Sequence, residues 1–547
     1  MLVYYHETML QKLRARWRDP LFLLCVAAGL IAFCVQSGDL DSVDTARRLQ
    51  TTHSFWTSAP PVIPGDYPDF GLRGRNGQIY AWYGMGQSLL MLPADIVGTY
   101  AERLPVFREY NGNDPAVRSM IVAYSTNMLT NVLTALVCFR LLTLLRFTKE
   151  QALAGVLALL VCTTHLHYTQ NMMENNYILL LTLAGFAFQY EWLITGERRA
   201  LAIGSAAFGL NLLTRLTTGM DLIVGGLFLL LVLWLEGKSP VELWERFRVY
   251  AVTALPIYAV FLLIDRLYQY YRFGSFFNTY VSVFAQQARE INPSLPANYP
   301  FEVPFHVGFL GALFGPEKSI FLFDPLLILT ALVVALGWNK FGPAIKAFLI
   351  STVLLLFIYI SFYARYTVWS GDSAWGDRYV ASAAQLVAFL SVPLLLRYRG
   401  ELGRVVWQVG MALIAIAAAV QVASVMFWLS LELYQITSLG HPTFVVWLRF
   451  KNIVAFLLNK REAWGLTNGD MLTDPWDYVH ITTWNFLPFV LRRVGEAPRW
   501  VVRLAFLVWM TSLGATGWVL WRLKGELAAR SSAAELTSFS GTRTDTL

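Results

Sequence analysis

The chain has 547 residues, of which 56% are hydrophobic and only 14% charged, with a formal net charge of +7. Soluble domains carry about a quarter charged residues, and no water-facing surface could be built from so few, so a soluble globular fold is excluded. Apolar runs of the ~20 residues needed to cross a bilayer recur from near residue 20 almost to residue 522, predicting an all-α integral membrane protein with about 12 transmembrane helices.

The first run, Leu21 to Val35, follows Lys12, Arg14, Arg16 and Arg18 and has the look of a signal peptide. The segment Gln36-Ser37-Gly38-Asp39 after it supplies no small-residue cleavage site, so the run reads as an uncleaved first helix with residues 1–19 in the cytoplasm. Further spans are predicted near 117–144, 151–166, 175–194, 200–215, 217–236, 248–266, 319–337, 345–366, 379–396, 404–432 and 499–521. On this count Arg146 and Lys149, Arg198 and Arg199, Lys238 with Arg246 and Arg248, Lys340 with Lys346, and Arg397, Arg399 and Arg404 all fall on the side of the N-terminus. That agreement with the positive-inside rule also places the C-terminus in the cytoplasm, after a Ser/Thr/Ala-rich tail, 523–547, read as disordered. The four cysteines, Cys25, Cys34, Cys138 and Cys162, lie in apolar runs without metal-ligand spacing and read as buried thiols.

The short run from Gly86 to Val97 contains Pro93 and would break the parity as a span, so it is read as an amphipathic or re-entrant helix at the outer interface. Four long segments then face outward, at 37–116, 267–318, 367–378 and 433–498, and long loops between packed helices are where function concentrates.

The first of them opens Ser37-Gly38-Asp39-Leu40-Asp41-Ser42-Val43-Asp44. Carboxylates crowded beside a membrane raise one another's pKa, which suits a general base or a cation site. The same residues fit an acidic cap on a helix starting near Ala46, although a cap needs only one carboxylate. Arg47, Arg48, Arg73, Arg75, Arg103 and Arg108 follow, against the usual topogenic bias. Arginine forks suit a lipid-linked phosphate and equally suit ordinary headgroups. Phe55, Trp56, Tyr80, Trp82 and Tyr83 fit an interfacial aromatic belt.

Taken in order, Ser37-Gly38-Asp39, then Tyr80-Ala81-Trp82-Tyr83-Gly84-Met85-Gly86 running to Pro93, resemble the first external loop of the GT-C superfamily of membrane glycosyltransferases. Later segments are similar to its bacterial branch, which includes aminoarabinose and protein mannosyl transferases. These are Glu174, Tyr271-Arg272-Phe273-Gly274-Ser275, Phe314-Gly315-Pro316-Glu317-Lys318 through Asp324-Pro325, and Trp369 through Gly376-Asp377-Arg378-Tyr379. The resemblance spans about residues 20–400, read as the catalytic module. Residues 401–522, with the external segment 433–498, have no match and are candidates for acceptor specificity.

The resemblance implies a glycosyltransferase of a bacterial inner or plasma membrane. It would move a sugar, with inversion, from a polyprenyl-phosphate donor to a lipid, glycan or protein acceptor on the extracytoplasmic side. Asp39, or else Asp41, is expected to be the base, since the adjacent acidic pair of many relatives is split here. Arg378 and Lys318 are expected to hold the donor phosphate, and Glu174, Tyr83 and Asp377 to contact sugar or acceptor. Glu174 also fits a helix N-terminal charge, and Asp377, where relatives often carry Pro, also fits a turn cap.

No cofactor is expected, because Arg and Lys can replace a divalent metal in stabilising a leaving phosphate. Membrane lipids are the other expected partners, and nucleic acid is not expected. His165 and His167, two apart on a helix, point to different faces and would need an irregular turn to share an ion. Asp265 and Arg266 read as a structural pair, and Arg215, costly within a span, should face the outer cavity or snorkel. The competing classes are a transporter or lipid flippase, which would show matched interrupted helices in two halves, and a non-catalytic subunit of the same fold.

Overall fold

The protein, seen in a computed structural model, is described over residues 17–63, 71–107, 110, 115–466, 475–493 and 497–541. The chain enters through α1 (Pro20–Val35), started by Pro20 and by Asp19, whose side chain accepts from the Leu21 amide. The segment after α1 then folds into α2 (Val43–Ser54), a hairpin of β1 (Gly71–Arg73) and β2 (Ile79–Ala81) with Leu72 opposite Tyr80, and α3 (Gly86–Glu102). A helix does occupy the run predicted at Gly86–Val97, extended to Glu102, and it packs on α2 and on α4 (Val117–Leu144).

The remaining helices of the first half are α5 (Lys149–Cys162), α6 (His165–Gln170), α7 (Asn175–Thr195), α8 (Arg198–Leu212), α9 (Gly219–Leu235), α10 (Pro240–Phe273), α11 (Tyr280–Ile291) and α12 (Phe305–Phe314). They are followed by α13 (Ile320–Phe323), α14 (Leu326–Gly337), α15 (Pro343–Tyr363), α16 (Ala381–Ala388), α17 (Ser391–Arg397) and α18 (Arg399–Ser424). The chain closes with α19 (Ser430–Thr437), α20 (Val445–Leu457), α21 (Pro475–Ile481), α22 (Leu487–Arg493) and α23 (Arg499–Gly541). The tail read as disordered from residue 523 is thus helical as far as Gly541, and 542–547 lie outside the described residues.

Among the described residues seven helices are long and apolar enough to cross a membrane, and four shorter apolar helices accompany them. The lipid-facing character of α10 is plain from Val252, Leu255 and Leu263, each more than half exposed on a helix that water would not tolerate. The buried core lies where α4, α7, α8, α9 and α15 pack together, with Phe186, Phe208, Phe228 and Phe348 in mutual ring contact.

Four predicted spans are not single helices. The run 151–166 breaks between Cys162 and His165, 319–337 breaks at Asp324-Pro325, 379–396 breaks at Phe389-Leu390, and 404–432 ends at Ser424. Two of the breaks satisfy each other. Asp324 accepts from the Thr164 amide at 2.7 Å and from its hydroxyl at 2.9 Å, and Gln385 of α16 donates to that hydroxyl at 2.9 Å. Hydropathy cannot see such breaks, because the freed backbone groups are paired inside the protein and the sequence stays apolar around them.

Candidate functional site

The acidic loop begins where Gln36 leaves the helix and is tied down by its side chain, which donates to Ala32 and Thr169 carbonyls and accepts from Asn127. Asp39 is half-buried, and its carboxylate accepts from the Leu40 amide at 2.6 Å. Asp41 is buried with φ of 53°, in the left-handed region. One of its oxygens accepts from Ser37 at 3.0 Å and from Asn485 at 3.4 Å, and the other has no partner. Burial, and then the charge of Asp39, push the Asp41 carboxyl well above its usual value; burial raises Asp39 too, opposed by the Leu40 amide.

Asn485 comes from the connection between α21 and α22. It is fixed by His480 and by Gln170, whose amide donates to the carbonyls of Val35, Val425 and Asn485. The C-terminal part of the chain therefore reaches the acidic loop.

One turn into α2 a buried charge cluster begins. Asp44 accepts from Arg378 at 2.5 Å and from the Tyr83 hydroxyl, and the Arg48 guanidinium lies 3.9 Å over the Tyr83 ring. Arg48 also pairs with Glu174 at 2.6 Å, and Arg215 pairs with the other oxygen of Glu174. Against the pull of burial, Arg48 and then Arg215 hold the Glu174 carboxyl below its ordinary range. The constellation has three guanidinium groups and two carboxylates. Its cations are not spent on those anions: Arg48 Nη1 and Arg378 Nε are buried without an acceptor.

Close backbone approach assembles the cluster. The Gly86 amide donates to the Leu213 carbonyl at 2.8 Å, and a Cβ on Gly84 or Gly86 would collide with residues 213 and 214, so the Tyr83 loop docks directly beside Arg215. Arg272, in the segment that carried part of the family resemblance, donates to the carbonyls of Ala81 and Tyr83 and holds that loop from the other side.

Arg378 closes the loop that starts at Trp369. Lys318 is buried beneath this loop, and its ammonium donates to the carbonyls of Asp372, Ala374 and Gly376 at 2.7, 2.8 and 3.3 Å. An ammonium has three N–H groups, so none remains for a ligand. The expectation that Lys318 holds a donor phosphate does not fit this placement: it staples the loop, with burial lowering its pKa to about 8. Asp377 accepts from the Tyr379 amide at 3.0 Å and is a turn cap, with burial lifting its pKa to about 7. Glu174 is ion-paired to two arginines, and its Oε2, facing Arg48, makes no hydrogen bond.

Beside the cluster a cavity of about 480 Å³ is lined by Thr217, Met220, Tyr280, Tyr363, Tyr366 and Tyr379. Tyr363 and Tyr379 stack at 4.4 Å, and both Arg215 and Arg378 sit 5.3 Å from the Tyr379 ring. The remaining sequence candidates fall elsewhere. His165 contacts Asn131, whereas His167 stacks on Trp375, and among the described residues no group of three or more metal-ligating side chains occurs. Asp265 and Arg266 pair with each other, Arg75 and Arg103 lie over Tyr270 and Tyr100, and Arg108 is outside the described residues.

In the sequence Asp44 reads as one of three crowded carboxylates or as a helix-terminal charge, and nothing there marks Asn485. Arg48 and Arg215 carried a signal, as arginines in the wrong place for topology or for a bilayer, but their common partner Glu174 was not deducible.

No protein-family profile and no curated protein sequence matches the chain. Among solved structures it is similar to ArnT from Cupriavidus metallidurans bound to undecaprenyl phosphate, at 15% identity and a TM-score of 0.41, over 89% of this chain and 87% of that one. It is also similar to the archaeal oligosaccharyltransferase AglB from Archaeoglobus fulgidus in complex with an inhibitory peptide and a dolichol-phosphate, at 14% identity and a TM-score of 0.41, over 87% of this chain and 64% of that one. The apo form of the Archaeoglobus fulgidus oligosaccharyltransferase gives 13% identity and a TM-score of 0.41, over 84% and 63%.

Proposed function

We propose that this chain is a polyprenyl-phosphate-dependent glycosyltransferase with its site on the extracytoplasmic side of a bacterial plasma membrane. The observation that carries this reading is the pair of buried guanidinium groups with unused N–H donors, Arg48 and Arg378, beside a tyrosine-lined cavity, with the buried Asp41 three residues before their neighbour Asp44. Buried donors without acceptors cost about 1–3 kcal/mol each and persist where a ligand supplies the acceptor. A phosphate on a lipid chain matches, with its oxygens at the arginines and its first isoprene units along Tyr363, Tyr366 and Tyr379.

In the proposed reaction Asp41 is the base. Its free oxygen takes the proton of the acceptor as the acceptor heteroatom bonds to the anomeric carbon. The carbon–oxygen bond to the donor phosphate breaks on the opposite face, so configuration inverts, and the polyprenyl phosphate leaves with its new charge stabilised by Arg48 and Arg378. Asp39 ranks second as base because it is only half-buried and its carboxyl is raised less than that of Asp41. The reading is completed by the twelve crossings expected from the sequence, with both termini in the cytoplasm.

Interrupted helices also occur in transporters. Here two breaks are tied to each other by Thr164 and Asp324, which favours a rigid scaffold over a moving gate. Native mass spectrometry of protein extracted in mild detergent tests the proposal. A copurifying polyprenyl phosphate should be present in wild type and lost in Arg48→Ala. Its absence from wild type, together with failure to bind added polyprenyl phosphate, would leave the transporter or a non-catalytic subunit as the better reading.

A further inference from the structure

α7, α9 and α15 each begin or end at the charge cluster, through Glu174, Thr217 and Tyr363. Their opposite ends, at Thr195, Leu235 and Pro343, surround a second and larger cavity of about 900 Å³. A helix of 21 residues such as α7 separates the two by about 30 Å, so this cavity lies at the far end of the bundle.

Five charges line it that make no ion pair among the described residues: Arg146, Arg246 and Arg397 of one sign, Glu236 and Glu245 of the other. Lys238 and Glu242, also at its rim and exposed, approach only to 3.9 Å at the start of α10. Opposite charges that share a basin yet remain apart fit a ligand carrying both signs. A polyanion would meet the two carboxylates, and a simple cation the three arginines.

The basin does not end in a wall. It shares Leu193, Leu233 and Arg246 with an apolar groove of about 330 Å³ that continues along α9 and α10 past Leu230, Phe247 and Tyr250. The groove floor is Gly226, where an added Cβ would meet only the Tyr250 hydroxyl at 3.6 Å. Residues on both sides, Leu230 at 52% and Phe247 at 56% exposure, open it laterally where the bilayer would lie. A zwitterionic vestibule leading into a lateral apolar groove has the form of one amphiphile. The bundled arginines suit its phosphate and the glutamates its amine.

We infer that this end of the protein binds an aminophospholipid of the ethanolamine class, with the phosphate at Arg146, Arg246 and Arg397, the ammonium at Glu236 and Glu245, and an acyl chain over Gly226. A primary ammonium can donate hydrogen bonds to the two carboxylates, which a choline headgroup cannot.

Delipidated full-length protein titrated with dioleoyl phosphatidylethanolamine, phosphatidylcholine or phosphatidylglycerol, and read by native mass spectrometry, tests this. Phosphatidylethanolamine should bind about tenfold more tightly than either of the others. The double variant Glu236→Gln/Glu245→Gln should lower it to the phosphatidylcholine level while leaving phosphatidylglycerol equal or tighter. Gly226→Leu, with the charges intact, should weaken all three lipids but not the soluble headgroup phosphoethanolamine. Equal affinity for the three lipids, or a preference that survives the double variant, would overturn the assignment. Phosphoethanolamine binding as tightly as the whole lipid would also overturn it, by showing that the groove contributes nothing. All the substituted residues lie far from the charge cluster, so these outcomes are independent of the proposed transferase activity.

Discussion

The two oxygens of Asp41 differ: one is held by Ser37 and Asn485, the other is buried and free, and only the second can receive a proton. Asp41→Asn should therefore reduce turnover by at least about a hundredfold with donor binding retained, and Asp39→Asn should cost much less. Near wild-type turnover in Asp41→Asn would return the role to Asp39. Burial and the neighbouring Asp39 raise the folded pKa of Asp41 above its unfolded value. The base is thus ionised only above that raised value, and turnover should fall with acidification at pH values above the ~4 of an ordinary aspartate. For stability the sign is opposite. The protonated acid favours the fold; this contribution is complete below the unfolded pKa and lost as pH rises through the folded one. Asp41→Asn, neutral at every pH, should melt no earlier than wild type at neutral pH, so lost activity would not be lost structure. Lys318 is the contrasting residue. Lys318→Met leaves the buried carbonyl oxygens of Ala374 and Gly376 without a donor, at about 1–3 kcal/mol each, and should melt well below wild type while binding donor normally in the cold.

The loop from Trp369 to Arg378 shows how an element sets the site. Gly371 has φ of 76°, and a Cβ there would lie 2.8 Å from Arg378 Cγ and 2.9 Å from its amide nitrogen. Gly371→Ala combines left-handed strain of about 1–2 kcal/mol with a push on the arginine, so melting temperature and donor affinity should fall together. Unchanged donor affinity would show that the loop does not position Arg378. The uninterrupted helices were legible from apolar length and charged ends: α4 has the predicted bounds, and α7 exceeds its prediction by one residue. The breaks at Thr163, Asp324 and Phe389 were not, because what permits them is a partner elsewhere in the fold. The same holds within the site. Asp39, Asp41, Glu174 and Arg378 were legible as chemistry, whereas the pairing of Asp44 with Arg378, 334 positions apart, and of Asp41 with Asn485, 444 apart, belongs to the packing.

At the scale of the whole molecule, the basic connections gather at one end of the bundle and the charge cluster at the other. With the native cysteines removed, Asn76→Cys should react with an impermeant maleimide on intact cells and Glu197→Cys only after permeabilisation. Labelling of both, or of Glu197→Cys alone, would overturn the orientation. In the proposed reaction Arg378 serves a donor phosphate and is only lent to Asp44, its partner at 2.5 Å. Removing one member of a buried pair costs about 3–5 kcal/mol, so a loss of stability alone decides nothing. The most direct measurement is the apparent affinity for polyprenyl phosphate, taken in the cold beside melting temperatures, for wild type, Arg378→Lys, Arg378→Ala and Asp44→Asn. Affinity should weaken in Arg378→Lys, nearly vanish in Arg378→Ala, and hold or improve in Asp44→Asn, where a competing anion is gone. Wild-type affinity in folded Arg378→Ala would contradict the account and make the arginine a structural partner of Asp44.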